Sequence, residues 1–338
     1  MKRVLVTGGA GFVGSNFIRM MAAHHPDWRI INLDALTYAG STDNLKGLSG
    51  DYAFVRGDIA DSACVTALFG QYAFDYVVNF AAETHVDRSI ASPQDFIRTD
   101  VLGTHTLLEA VREQGVARYV QISTDEVYGS VAAGAFAEDS PLRPSSPYAA
   151  SKAAGGLVVQ SFYRTYGTPV VVTRSSNNYG PWQYPEKIIP LSITNAIDDQ
   201  ALPMYGDGLN VRDWLHVEDN CAAIDLVLHR GEVGEVYNIG GGQEATNLAV
   251  TEAILARLHK DRGLIRFVAD RPGHDRRYAV TCDKLKALGW TPSVAFAEGL
   301  ARTVDWYIAH SEWWRRIKSG EWRAYYARHY AELEEPRT

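Results

Sequence analysis

The chain's chemistry is concentrated between Gln121 and Lys152, where QISTDEVYGSVAAGAFAEDSPLRPSSPYAASK carries a hydroxyl, two adjacent acids and a Tyr-Lys pair. Val120 and Ile122 are strand formers, and Ser123, Thr124, Asp125 and Glu126 follow without an apolar partner. Gly129 and the proline-rich run from Pro141 to Pro147 keep the next segment irregular, so a strand is expected to end near Thr124. Were it to continue, Asp125 and Glu126 would face opposite ways; bringing both to one site requires a turn here. Tyr148 and Lys152 are four residues apart after the helix-start signal Ser146-Pro147, which puts both on one helix face. An ammonium beside a phenol favours the phenolate, making Tyr148 a candidate general base. Alone, that spacing is shared by many solvated surface pairs, and the Thr-Asp-Glu run upstream is what gives it weight.

Positioning these groups is the task of the elements around them. Arg3 to Thr7 is a short apolar run suited to a buried parallel strand, and a helical pattern containing Phe17, Ile18 and Met21 follows the loop Gly8 to Gly14. Gly8, Gly11 and Gly14 permit a tight turn and close approach to a pyrophosphate at the helix N-terminus. A second strand, Arg29 to Leu33, ends at Asp34, where a carboxylate can bond a ribose hydroxyl and repel a 2′-phosphate. Strand, glycines, helix, strand and acid together predict a Rossmann-type, doubly wound parallel α/β sheet that binds NAD in preference to NADP. Ligands of such sheets sit beyond the carboxyl ends of the strands, which is where Thr124, Asp125 and Glu126 fall.

A third strand, Tyr52 to Val55, runs into Arg56-Gly57-Asp58-Ile59, and a fourth, Tyr76 to Phe80, into Ala81-Ala82-Glu83-Thr84-His85-Val86-Asp87-Arg88. Glu83, His85 and Asp87 have the residue types of metal ligands, but their alternation and the nearby Arg88 read as a hydrogen-bonded polar loop, and no metal is expected. Helical patterns near 93–114 and 147–167 are expected to cover the sheet, with one face of each available for a homodimer. After a sixth strand, Pro169 to Arg174, the turn-rich Ser175 to Pro181 opens a smaller C-terminal lobe. The division expected is 1–176 for cofactor binding and 177–338 for substrate binding, with parts of 211–243 returning to the first. Lys187, Arg212 and Arg271 have the chemistry of a diphosphate clamp, though each on its own reads as solvated surface charge. Trp306, Trp313, Trp314 and Trp322 read as core or interface.

Composition narrows the partners. A chain of 338 residues with 46% hydrophobic content supports a large α/β domain with an appended lobe, and a formal net charge of −7 argues against a nucleic-acid groove or an anionic membrane surface. Cys64, Cys221 and Cys282 form no CxxC pattern, so neither a disulfide framework nor a zinc motif is indicated. A reducing cytoplasm is expected, with no signal peptide and no membrane span.

With these residues in view the chain resembles the extended short-chain dehydrogenase/reductase family, and within it the nucleotide-diphosphate-hexose 4,6-dehydratases of the dTDP-glucose type. The resemblance runs nearly end to end, through TGGAGFVGSNF, AAETHVDRSI, STDEVYG, SPYAASKA, RSSNNYGPWQYPEKIIPL, VRDWLHVED and RPGHDRRYA. The glycine loop and YxxxK mark the large family; Thr124-Asp125-Glu126 and the NNYGP...PEKIIP segment are the specific signals. One position departs from the pattern, Asp100, where Asn is usual. The resemblance implies that Tyr148, assisted by Lys152 and Thr124, removes the sugar 4-hydroxyl proton as C4 passes hydride to a tightly bound NAD. Glu126 then takes the C5 proton, Asp125 protonates the departing 6-hydroxyl, and hydride returns to C6. It also implies an NAD site formed by Gly8, Gly11, Phe12, Val13, Gly14, Asp34, Ala35, Leu36, Thr37, Asp58, Ile59, Phe80, Ala81, Ala82, Thr99, Tyr148, Lys152 and Asn177. A nucleotide-sugar site would comprise Thr84, His85, Thr124, Asn178, Lys187, Ile188, Pro203, Tyr205, Arg212, Asn247, Arg271 and His274. A sugar-nucleotide 4-epimerase or uronate decarboxylase would use Tyr148 and Lys152 but needs no acid at Asp125. A non-catalytic NAD-sensing protein would need none of the set.

Overall fold

In the computed structural model, which describes residues 1–319 and Tyr326, β1 (Arg3–Thr7) turns through the glycine loop into α1 (Phe12–His24). Then come β2 (Arg29–Asp34), β3 (Asp51–Arg56), α2 (Ser62–Gln71), β4 (Tyr76–Asn79), α3 (Val86–Ala91), α4 (Pro93–Phe96) and α5 (Thr104–Gln114). The first half closes with β5 (Arg118–Thr124), α6 (Pro147–Tyr166) and β6 (Val170–Ser175). Beyond it lie β7 (Asn177–Tyr179), α7 (Ile188–Ile197), β8 (Leu202–Tyr205), β9 (Val211–His216), α8 (Val217–Arg230) and β10 (Val236–Ile239). The described chain ends with β11 (Glu244–Thr246), α9 (Asn247–Arg257), β12 (Ile265–Val268), α10 (Asp283–Ala287), α11 (Phe296–Ala309) and α12 (Ser311–Ile317).

Seven parallel strands form the main sheet in the order β10-β6-β5-β4-β1-β2-β3. Consecutive residues of β1 feed opposite cores: Val4 and Val6 pack with Phe17, Ile18, Met21 and Ile224 from α1 and α8, while Leu5 packs with Leu68, Leu107, Val111 and Val159 from α2, α5 and α6. Burial on both faces explains why these strands are apolar runs rather than alternating ones. The strand order reverses between β1 and β4, so a crevice opens at the carboxyl ends of β1, β4 and β5. The segment after β6 builds two small sheets, β11-β9-β7 and β12-β8, yet β10 returns as an edge strand of the main sheet.

Two helix expectations are refined. The helix expected near 93–114 is α4, a π-helical segment Ile97–Gly103, and α5. Extra residues per turn occur mostly at functional sites, and here the widened turn carries Asp100 toward α6. Gly155 of α6 permits that approach, since a Cβ there would stand 2.5 Å from the Asp100 carbonyl oxygen. The pattern over 296–318 is broken at His310 into α11 and α12. Trp313 and Trp314 are buried in a third core with Tyr179, Ile189, Trp214 and Tyr307, and Trp306 packs against it. Trp322 lies outside the described residues. No helix among the described residues is long and apolar enough to cross a membrane.

Candidate active site

The glycine loop starts the site. Gly8 has φ +67°, and a Cβ on it would stand 2.6 Å from the Ala81 backbone nitrogen; a Cβ on Gly14 would collide with the Gly8 carbonyl oxygen. Only glycines let β1, α1 and the loop after β4 come this close, and the resulting cradle at the N-terminus of α1 fits a dinucleotide pyrophosphate. Asp34, at the end of β2, accepts from the Ala10 amide through Oδ2 and from the Leu36 amide through Oδ1, both at 2.8 Å. Each oxygen keeps a lone pair for a ribose hydroxyl.

β5 stops at Thr124 as expected, and Asp125–Tyr128 forms a 3₁₀ turn capped by Thr124, whose Oγ1 accepts from the Glu126 amide at 3.2 Å. The turn brings both carboxyls to the cavity wall. Ser146 caps α6 by accepting from the Ala149 amide at 3.1 Å, Pro147 occupies its first turn, and Gly167 ends it in the left-handed conformation. Tyr148 and Lys152, one turn apart, are both buried and face the same space.

That space is a cavity of about 640 Å³, within the roughly 300–1,000 Å³ of small-molecule sites. It brings together all the residues the resemblance implies except Leu36, which does not line it; Leu36 has φ +54° and its amide donates to Asp34. Lys187, Arg212 and Arg271, from three separate segments, line one end beside Glu126. Lys187 Nζ donates to the Thr84 carbonyl at 2.6 Å, Arg212 lies 4.4 Å over the Tyr278 ring and donates to the Asp275 carbonyl at 3.0 Å, and Arg271 pairs with Asp87 at 3.4 Å. Tyr205 donates to Asp87 at 3.1 Å, and His274 Nδ1 stands 2.6 Å from Asp270.

Burial pushes Asp125 well above the usual carboxyl range, and the charges of Glu126 and Asp213 add to it. Its Oδ2 is buried without a hydrogen-bond partner. Both the burial and the neighbouring charges favour the neutral acid at Asp125. Burial raises Glu126 as well, but Arg271, Lys187 and Arg212 pull it back toward the carboxylate. Both adjacent carboxyls are raised, but only Glu126 has cations opposing the shift as its largest charge contributions, so the surroundings favour the neutral form more strongly at Asp125.

Tyr148 corrects an expectation. Its phenol is pushed up, first by burial and then by Glu126 and Asp100; the Thr124 hydroxyl opposes the shift and Asp125 adds to it. Lys152 does not offset this, because its Nζ donates to the Ile122 carbonyl at 2.8 Å and the acid beside it is Asp100. Sequence spacing places the cation near the phenol but does not show the three carboxyls that other segments contribute.

Asp100 is itself buried and accepts from Ser151 Oγ at 2.6 Å. Burial pushes its pKa up from 3.8 to about 6, against the pull of Lys152. The folded chain therefore keeps this proton where the unfolded chain has lost it, and the associated stability, present below about pH 4, is lost as pH rises through about 6. Asp100→Asn removes the penalty, so the variant should gain on the wild type by about 2–3 kcal/mol between pH 4 and 7. Urea unfolding of both proteins at the two pH values checks this; a constant difference would show that Asp100 titrates normally.

Several cavity residues had no place in the sequence-derived site. Arg98 pairs with Asp58 at the cofactor end. Glu83, read as part of a polar loop, is pushed up to about 7 by burial and by Asp100 and Asp95. Glu186 accepts from Tyr38 at 2.8 Å and lies 3.5 Å from Arg88, which covers the Tyr38 ring at 3.7 Å. Glu186 lies within the quoted PEKIIP segment and Tyr278 within the quoted RPGHDRRYA segment, and these were usable signals.

A parallel sheet with its glycine loop at the switch point and a Tyr-Lys pair on the helix after β5 defines the extended short-chain dehydrogenase/reductases. Residues 5–303 match the family model for GDP-mannose 4,6 dehydratase, and the chain belongs to that family. It is 50% identical over 341 residues to a dTDP-glucose 4,6-dehydratase of Xanthomonas campestris pv. campestris, covering 94% of this chain and 97% of that protein. A dTDP-glucose 4,6-dehydratase from Bacillus anthracis, crystallised in complex with NAD, superposes with a TM-score of 0.88 at 49% identity, covering 94% of this chain and all of the other. A Thermus thermophilus UDP-glucose 4-epimerase complex with NAD gives 0.86 at 33% identity, covering 91% of this chain and 99% of that one.

Proposed function

We propose that this chain is an NAD-dependent hydro-lyase that converts a nucleotide-diphosphate hexose, dTDP-glucose, to its 4-keto-6-deoxy derivative. The observation that carries this reading is the acid pair Asp125 and Glu126 sharing one cavity with Tyr148 and Lys152. The dehydratase relatives support it. NAD, when bound, supplies the hydride acceptor for C4 and afterwards the hydride donor for C6, so the sugar undergoes no net oxidation.

The chain's own residues move the protons. Tyr148 takes the 4-hydroxyl proton with Thr124 bonded to its oxygen. The new ketone acidifies C5–H; Glu126 accepts that proton while Asp125 gives one to the 6-hydroxyl, and water leaves. Glu126 returns its proton to C5 as C6 receives hydride; the proton Tyr148 took from O4 balances the one Asp125 gave to water, and its passage from the phenol to Asp125 restores both groups for the next turnover. The glycine cradle and Asp34 hold the dinucleotide, and the Asp34 carboxylate disfavours NADP. Lys187, Arg212 and Arg271 bind the diphosphate. We assign 1–176 to the cofactor and the remainder to the nucleotide sugar, with α8 and β10 returning to the first body.

A homodimer through the segments around α4, α5 and α6 is part of this proposal, supported by exposed Ile97, Leu102 and Leu157, each at least half accessible. So is a cytoplasmic location, on the strength of three free cysteines. Incubation with a panel of nucleotide hexoses, followed by mass spectrometry, tests the reaction. Loss of one water from dTDP-glucose is expected; isomerisation without loss of mass would establish the epimerase reading instead.

A further inference from the structure

The cavity does not account for a second group of ionisable side chains at the opposite end of the main sheet. His25 caps the C-terminus of α1, and Asp225 and His229 stand one turn apart near the C-terminus of α8. Among the described residues these are the one group of three whose potential ligand atoms lie within 4.8 Å of one another. His25 Nε2 is 3.4 Å from Asp225 Oδ1, and His229 Nδ1 is 3.1 Å from the same oxygen. Around a tetrahedral ion with bonds of about 2.0–2.1 Å, ligand atoms stand about 3.3–3.4 Å apart. Two edges of such a site are therefore already close to length.

Three further observations point the same way. His25 Nε2 and Asp225 Oδ1 are buried atoms without a hydrogen-bond partner, which a bound cation would satisfy. The rings are held in place, with His25 stacked on Trp28 at 4.5 Å and on His229 at 5.2 Å, and Trp28 stacked on Tyr76 at 5.2 Å. Two helix C-termini also meet here, and the partial negative charge of each favours a cation. His229 Nδ1 lies 2.8 Å from the Asp225 carbonyl oxygen; with the site apo, that nitrogen carries a proton, which an ion would displace.

We propose that His25, Asp225 and His229 bind one divalent transition-metal ion of the zinc or nickel class, with water completing the coordination. Two imidazoles and a carboxylate suit these borderline ions, whereas magnesium and calcium favour oxygen donors. The ion ties α1 to α8. The expectation that no metal binds came from the Glu83 to Asp87 segment; these ligands come from opposite halves of the chain, and only the fold brings them together.

The test uses untagged, chelator-dialysed full-length protein, titrated calorimetrically with Zn²⁺ and, for its visible tetrahedral absorption, with Co²⁺. Binding of one equivalent is expected at Kd below about 10 µM, together with a higher Tm in Zn²⁺. His229→Ala and His25→Ala should each weaken binding at least about tenfold. Both should leave dehydration unchanged, because neither residue touches the cavity. Binding weaker than about 10 µM, or equal binding by wild type and both variants, would overturn the assignment and leave a His-Asp contact network linking the helices.

Discussion

Tyr148→Phe is expected to lower turnover by at least about 10²–10⁴-fold, the range for loss of a positioned general base, while leaving the fold and cofactor binding intact. The side chain is only 8% exposed and packs with Val86 and edge-on to Phe96 at 6.2 Å, contacts that phenylalanine retains. Only the oxygen facing Thr124 is lost. Burial, and then the charges of Glu126, Asp100 and Asp125, oppose the phenolate that would take the 4-hydroxyl proton, and that opposition weakens as those charges are neutralised. Protonation of Asp125 would be one such neutralisation, so the proposed acid for elimination would also favour the proposed base for oxidation. Single-turnover measurement of cofactor reduction by absorbance checks the prediction. Reduction at the wild-type rate by Tyr148→Phe would remove this residue from the mechanism.

Asp125→Asn and Glu126→Gln should each slow elimination by about 10²–10⁴-fold yet still permit oxidation at C4, which needs neither carboxyl. The two variants fail differently. The amide of Asp125→Asn keeps the shape of a neutral acid but has no proton to give, so the 6-hydroxyl stays in place while the C5 hydrogen continues to exchange with deuterated water. The amide of Glu126→Gln cannot accept that hydrogen, and exchange itself should stop. Reduced-cofactor absorbance combined with deuterium incorporation at C5 separates the two roles. Wild-type exchange in Glu126→Gln would make the base assignment wrong, and normal dehydration by Asp125→Asn would make the acid assignment wrong.

What was legible in the sequence was local. The glycine loop, Asp34 at the end of β2, the stop of β5 at Thr124 and the capped start of α6 each depend on residues within a few positions of one another. What was not legible depends on segments meeting. Lys187, Arg212 and Arg271 were candidates for a diphosphate clamp and, through the resemblance, for the nucleotide-sugar site, but nothing in their spacing shows that they converge on Glu126. The direction of the Tyr148 shift was missed for the same reason: Asp100 reaches the site through a π-helical turn that hydrophobic periodicity does not distinguish from regular helix. The Arg98–Asp58 pair and Tyr278 likewise join residues that only tertiary packing makes neighbours.

The bond from Tyr38 to Glu186 spans from the loop after β2 to the segment before α7, and residues flanking both partners line the cavity. A dinucleotide held by the glycine cradle and Asp34 would have this bond, made by the protein alone, beside its cavity. Because the hydride taken from C4 is given back to C6, such a dinucleotide never has to leave between turnovers. The enzyme then carries its own oxidant as a permanent part, and its rate is insulated from swings in the cell's ratio of oxidised to reduced nicotinamide, a ratio that governs dehydrogenases which must trade their cofactor with the pool.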